Sequence, residues 1–161
     1  MADAYPLRLI DNSKDTIMLT SIKEWLMRHK NEDFMQAIVA SCALVAAADG
    51  TISEVEKNKM AEFIQRSEEL HVFPMTEVVQ EFNKFADTFK FNSDIGKQEA
   101  LKCIRKVKKN PDAARMLIRI CCQIGLADGN FDDNEKLVVS ELCLELGLNA
   151  DYYKAFYLKF D

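Results

Sequence analysis

The sequence predicts an all-α fold, a compact bundle of about seven to eight short helices containing an internally duplicated helix–loop–helix hairpin with pseudo-twofold character. Three observations predict it. Apolar residues recur at helical spacing almost throughout, and no segment shows the two-residue alternation of a half-buried strand. The 161 residues include only 5 Gly and 3 Pro, too few for the many tight turns of a barrel or sandwich. A ten-residue pattern also recurs once, 79 positions downstream of its first copy, from Ala48 to Ala127.

The elements follow in order. Met18, Ile22, Trp25 and Leu26 form one apolar stripe and predict an amphipathic helix over 13–29. Phe34, Ile38, Cys42 and Val45 predict the next over 32–48. Met60, Phe63 and Ile64 mark 53–70, and Val78, Phe82, Phe85 and Phe89 mark 76–90. Ile95, Leu101, Ile104 and Val107 mark 94–108. Asn110-Pro111 reads as a cap followed by a first-turn proline, opening a helix that runs to about Ala127. Leu137, Val138, Leu142 and Leu146 mark 132–147, which Gly147 stops. Asn149 then caps a short helix carrying Tyr152, Tyr153, Phe156 and Phe160. The whole chain, 1–161, is expected to form one domain, with 1–30 as an added N-terminal helix and 149–161 as an aromatic C-terminal one.

Composition narrows the function. Apolar residues at 48% and charged residues at 29% exclude a disordered chain. The net charge of −5 argues against nucleic acid as a partner, since phosphate binding needs clustered cations. Asp3, Asp11 and Asp15 interrupt the N-terminus, so no signal peptide is read there. The longest run of low polarity, Ala37 to Ala48, falls well short of the roughly 20 residues of a membrane span. A cytoplasmic protein without membrane insertion is the expectation. Cys42, Cys103, Cys121, Cys122 and Cys143 include no C-x-x-C pair, which argues against a zinc cage. They read as small buried hydrophobes, with a thiol site for a soft metal or metalloid as the alternative.

The duplicated loops carry the main signal. Ala48-Asp49-Gly50-Thr51-Ile52-Ser53-Glu54-Val55-Glu56-Lys57 matches Ala127-Asp128-Gly129-Asn130-Phe131-Asp132-Asp133-Asn134-Glu135-Lys136. Gly50 and Gly129 suit helix ends, and Ile52 and Phe131 can turn into the core. Ser53-x-x-Glu56 and Asp132-x-x-Glu135 are capping boxes. Capping leaves the repeated acids Asp49 and Asp128 unexplained. The order Asp-Gly-x-apolar-Ser/Asp-x-x-Glu matches the second half of an EF-hand loop. The template would put its first ligands on Val45 and Ala47, or on Ile124 and Leu126, all apolar, which excludes a standard EF-hand. The surviving oxygen donors are Asp49, Ser53 and Glu56 in the first loop and Asp128, Asp132 and Glu135 in the second. Pure capping loops and a divalent-cation site both fit. The second loop is the richer, because Asp133 adds a fourth acid.

From about Phe34 to Leu148 the chain resembles the TerB (tellurite-resistance B) family. The matching pieces are Phe34-Met35-Gln36, Ala48-Asp49-Gly50 with Glu56-Lys57, Ser67-Glu68-Glu69-Leu70 with Val72-Phe73, Glu81-Phe82-Asn83-Lys84, Asp94-Ile95-Gly96-Lys97, and Ala127 to Asp133 with Glu135-Lys136. The resemblance implies a helical domain with an internal duplication, an acidic surface, and a role in resistance to tellurite and related stresses. It carries metal binding over to Asp49, Glu56, Asp128 and Glu135. It also implies an interaction role, since a related domain heads a membrane-anchored co-chaperone.

The remaining features have plain readings beside sharper ones. Lys102, Arg105, Lys106, Lys108 and Lys109 crowd one helix end, where cations complement the dipole or would dock an acidic partner. Tyr152, Phe156 and Phe160 either pack on the core or serve self-association as a homo-oligomer. His29 and His71 are isolated, and no nucleophile elbow or phosphate-cradling Gly loop is present. No catalytic residues are expected. The leading expectation is a non-enzymatic module holding Ca²⁺, Mg²⁺, Mn²⁺ or Zn²⁺ on the two loops, with an unidentified protein partner. The alternative is a metal-free protein–protein interaction scaffold.

Overall fold

The computed structural model describes residues 22–29, 31–48, 52–66, 68–127 and 132–157. Among them the chain forms α1 (Ile22–His29), α2 (Glu32–Ala46), α3 (Glu54–Arg66), a 3-10 helix (Glu68–Val72), α4 (Met75–Phe91), α5 (Ser93–Arg105), α6 (Pro111–Ala127), α7 (Asp133–Glu145) and α8 (Lys154–Tyr157). No strand occurs among the described residues. The fold is all-α, as the periodicity predicts.

The bundle is built around α2. From Phe34 to Val45 every residue except Gln36 is buried. Its spacing of Phe34, Ile38, Cys42 and Val45 predicts a single apolar stripe, yet the helix is buried on nearly all sides, because α3, α4, α5, α6 and α7 all pack against it. Its alanines at 37, 40 and 43 let neighbours approach closely. Ser41, the buried polar residue of the helix, donates its hydroxyl to the Ala37 carbonyl at 2.8 Å, so burying it leaves no orphaned donor. The run too short to cross a membrane is thus the central core helix. No described helix is long and apolar enough to cross a membrane.

Local signals set the ends of the helices. Asn31 caps α2 by accepting from the Phe34 N–H at 2.8 Å. Asn92 ends α4 and also caps α5, accepting from the Ile95 N–H at 3.0 Å. Asn110 accepts from the Ala113 N–H at 3.2 Å and Pro111 opens α6, as the sequence indicates. Gly147 has φ +79° and closes α7 in a Schellman arrangement: Leu148 N–H reaches the Cys143 carbonyl at 2.8 Å, and Gly147 N–H reaches that of Leu144 at 3.0 Å. Asn149 then accepts from the Asp151 N–H at 2.8 Å. In the aromatic tail Tyr153 and Phe156 are buried, and Tyr152 meets Phe156 edge-on at 5.3 Å. This matches the core-packing reading; Phe160 lies outside the described residues.

Three expectations are corrected. The helix predicted over 53–70 ends at Arg66, and a tighter 3-10 turn follows. That turn swings Leu70 and Phe73 into the core, while the His71 ring binds the Gln65 carbonyl at 2.7 Å. Ile95 and Leu137, both predicted as core, are 45% and 59% exposed. Leu101, Ile104 and Leu142 are buried as predicted, but the helices are rotated so that Gly96 and Ala100 of α5, and Val139 and Cys143 of α7, complete the inward faces in place of Ile95 and Leu137.

Gly96 explains the rotation of α5. A Cβ built at this position would lie 2.7 Å from Phe89 Cγ and 2.8 Å from Phe89 Cα. Only a residue without a Cβ lets α5 lie this close to α4 after the sharp corner at Asn92. A Gly96→Ala substitution should therefore destabilise the protein by about 1–3 kcal/mol through overpacking, although alanine is the better helix former. Urea unfolding of the two proteins checks this, and a stabilised variant would show that the corner has room to relax.

Candidate functional site

Each duplicated hairpin loop runs into a helix through a closed capping box. At the start of α3 the Glu56 N–H donates to Ser53 Oγ at 3.1 Å, and the Ser53 N–H donates to Glu56 Oε1 at 2.9 Å. At the start of α7 the Glu135 N–H donates to Asp132 Oδ1 at 2.8 Å, and the Asp132 N–H donates to Glu135 Oε1 at 3.0 Å. Both boxes follow directly from the S/D-x-x-E spacing. Each satisfies two backbone donors that a helix start would otherwise leave to water. The acids also sit at the positive end of the helix dipole.

The boxes have a second consequence. Asp132 and Glu135 are held against each other over the first turn of α7, each with one carboxylate oxygen fixed by a backbone N–H. Ser53 and Glu56 are held in the same way over α3, with a hydroxyl in place of one carboxylate. These four predicted site residues are thus brought together in two pairs. The other two, Asp49 and Asp128, lie outside the described residues, as do Gly50, Thr51, Gly129, Asn130 and Phe131. Ile52, the residue expected to turn inward after the first loop, is buried. Among the described residues no group of three or more His, Cys, Asp or Glu is arranged to hold a metal ion.

The surroundings of the two hairpins differ. α3 lies on α4, α2 and the 3-10 helix, while α7 lies on α6, α2 and α5. The capping chemistry repeats, whereas the packing around it does not follow one symmetric plan. Ala48, at the exit of α2, and Asn134, in the first turn of α7, line one cavity. The end of one hairpin arm and the start of the other therefore open on a common space.

The family follows from comparison. The family described as "Tellurite resistance protein TerB" matches residues 35–156. The chain belongs to this family. It is also 44% identical over 106 residues, 63% of this chain and 87% of the relative, to the "Tellurium resistance protein TerB" of Alcaligenes sp. No solved structure matches the chain. The region matched by TerB begins inside α2 and ends in α8, so it takes in both capping boxes and the central helix.

The thiols are a separate feature of this TerB chain. Cys42 of α2, Cys121 and Cys122 of α6, and Cys143 of α7 are buried where these three helices meet, and all are free. Burial pushes all four thiols up; neighbouring thiols reinforce the effect at Cys42, Cys121 and Cys122, and the Asp151 carboxylate does so at Cys143. Cys121 is pushed up to about 12, although the Ser41 hydroxyl bonds to it, and Cys143 to about 11. Thiolate is the nucleophile and the metal ligand, and none of these four is thiolate near neutral pH. They act as packing atoms, which favours the plain reading of the cysteines. Cys42 and Cys121 stand the same 79 positions apart as the two copies of the loop.

The cations at the end of α5 form surface ion pairs. Arg105 pairs with Glu145 at 2.9 Å, Lys102 with Glu99 at 3.5 Å and Lys106 with Asp33 at 4.0 Å.

Two predictions follow from this chemistry. Ser53→Ala and Asp132→Ala should each cost about 0.5–2 kcal/mol, and Asp132→Asn much less, because asparagine still accepts from the N3 N–H. Equilibrium unfolding would read these directly. Stability should also fall above about pH 9. There the unfolded chain releases thiol protons that the folded core retains, so the unfolded state binds fewer protons and gains with rising pH. The slope approaches roughly 1.4 kcal/mol per pH unit for each contributing thiol. Urea midpoints at pH 7, 9 and 10 would show it, with a shallower slope in Cys121→Ala.

Proposed function

We propose that this TerB chain serves in tellurite resistance as a non-enzymatic module that binds a divalent cation at its hairpin loops, most strongly at the second. The observation that carries the reading is the preorganised pair Asp132 and Glu135. Each carboxylate is fixed by a backbone N–H at 2.8–3.0 Å, immediately after a loop that contributes Asp128. A carboxylate held in this way loses little freedom on ligating an ion, and its remaining lone pairs suit a hard cation. The donors are oxygens, which favour Ca²⁺, Mg²⁺ or Mn²⁺ over Zn²⁺. The first loop has Ser53 where the second has Asp132, so it would bind more weakly. Tellurite is an oxyanion and would be repelled by these acids, so the contribution to resistance is indirect. Ion binding would stabilise the folded state and present a surface to a protein partner in the cytoplasm.

Amide substitutions separate metal binding from capping. Asp132→Asn with Glu135→Gln keeps both capping acceptors and removes both charges. Wild type should bind Ca²⁺, Mg²⁺ or Mn²⁺ saturably in calorimetry. Its Tm should rise, by the equivalent of about 2.7 kcal/mol at a hundredfold excess over Kd. The double variant should lose the response while keeping most of its own stability. No response of wild type at millimolar metal, or an equal response of the variant, would defeat the reading.

A further inference from the structure

A groove of about 680 Å³ runs between α5 and α7, floored by Leu44, Phe89, Leu101 and Leu142. Its rim carries Leu137 and Leu144, two turns apart on α7 and 59% and 60% exposed. Two large aliphatic side chains left exposed on one helix, both edging the same apolar trough, are not covered by the packing among the described residues. Arg105 and Glu145 bridge the trough at 2.9 Å and close one end. The other end opens beside Ser93, Asp94 and Asn134. The α5 wall has 13 residues, about 18 Å at helical rise, which matches three turns of a docked helix.

The charges choose the kind of helix. In the open part of the groove Asp94, Lys97 and Glu141 line the walls. Arg105 and Glu145 are engaged with each other, so two acids stand against one cation there. We propose that the α5–α7 groove receives an amphipathic helix of a partner protein, its apolar stripe packed between Leu137 and Leu144 and flanked by a row of Lys or Arg. Such a helix buries the exposed leucines and places cations against Asp94 and Glu141. The surface is built from ordered helices and does not depend on the loops holding an ion.

The test uses a 14-residue helical peptide of Leu and Lys, its Leu and Glu counterpart, and the full chain with or without Leu137→Glu and Leu144→Glu. Both leucines are on the surface, so the variant should keep its Tm. The Leu/Lys peptide should bind wild type one to one and the variant roughly tenfold or more weakly, although the variant is more negative. The Leu/Glu peptide should bind wild type at least as weakly. Methyl NMR should place the shifts at Leu101, Leu137, Leu142 and Leu144. Equal or tighter binding by the variant would reduce the effect to bulk attraction between opposite charges and overturn the proposal. So would shifts confined to α1 or α8. Sedimentation that finds a wild-type dimer, broken by the two substitutions, would assign the groove to a second copy and overturn it as well.

Discussion

The structure depends on the complete burial of α2. A helix apolar on all sides must be surrounded, and a chain of this size can surround it only by wrapping short helices around it. Five helices do so, and their arrangement places everything else. The exit of α2 delivers the first loop, its flank supports α7, and its Cys42 joins the thiols of α6 and α7. The small residues at 37, 40 and 43 make the close approach feasible, while the one polar side chain inside answers its own backbone. Interiors packed to this density transmit strain, which is why a single missing Cβ at Gly96 decides how α5 is rotated.

The two hairpins show how one spacing of residues can close a helix start and gather acidic side chains there. A capping box is first a device for satisfying backbone donors. It also crosses two side chains over a helix start and fixes an oxygen of each. When one of those side chains is a hydroxyl, as at Ser53, the box is chiefly structural. When both are carboxylates, as at Asp132 and Glu135, the same geometry concentrates negative charge at a positive helix end. The asymmetry between the loops is therefore chemical before it is structural. The buried thiols, by contrast, are held protonated by their surroundings and contribute volume rather than chemistry.

The helical class, most helix starts and both capping boxes were legible in the sequence because each rests on contacts within a few residues. Asn110 and Gly147 act on their own neighbours, and the spacing from Ser53 to Glu56 or from Asp132 to Glu135 is fixed by the helix itself. The family was legible for a related reason, since its motifs are short and lie at those same turns. The helix predicted through residue 70 was misread because the inward pull on Leu70 and Phe73 comes from the core and not from adjacent residues.

Sequence alone thus determined where backbone donors find local acceptors, which acids stand together on one turn, and which stretches must be hidden from water. Tertiary structure decided which face of each helix is hidden. Ile95 and Leu137 are as apolar as their buried neighbours, and only the docking of α5 against Phe89 and of α7 against α2 and α6 leaves them outside. The groove has the same origin: periodicity reports that a side chain can be buried, whereas the angle at which two helices meet determines whether it is.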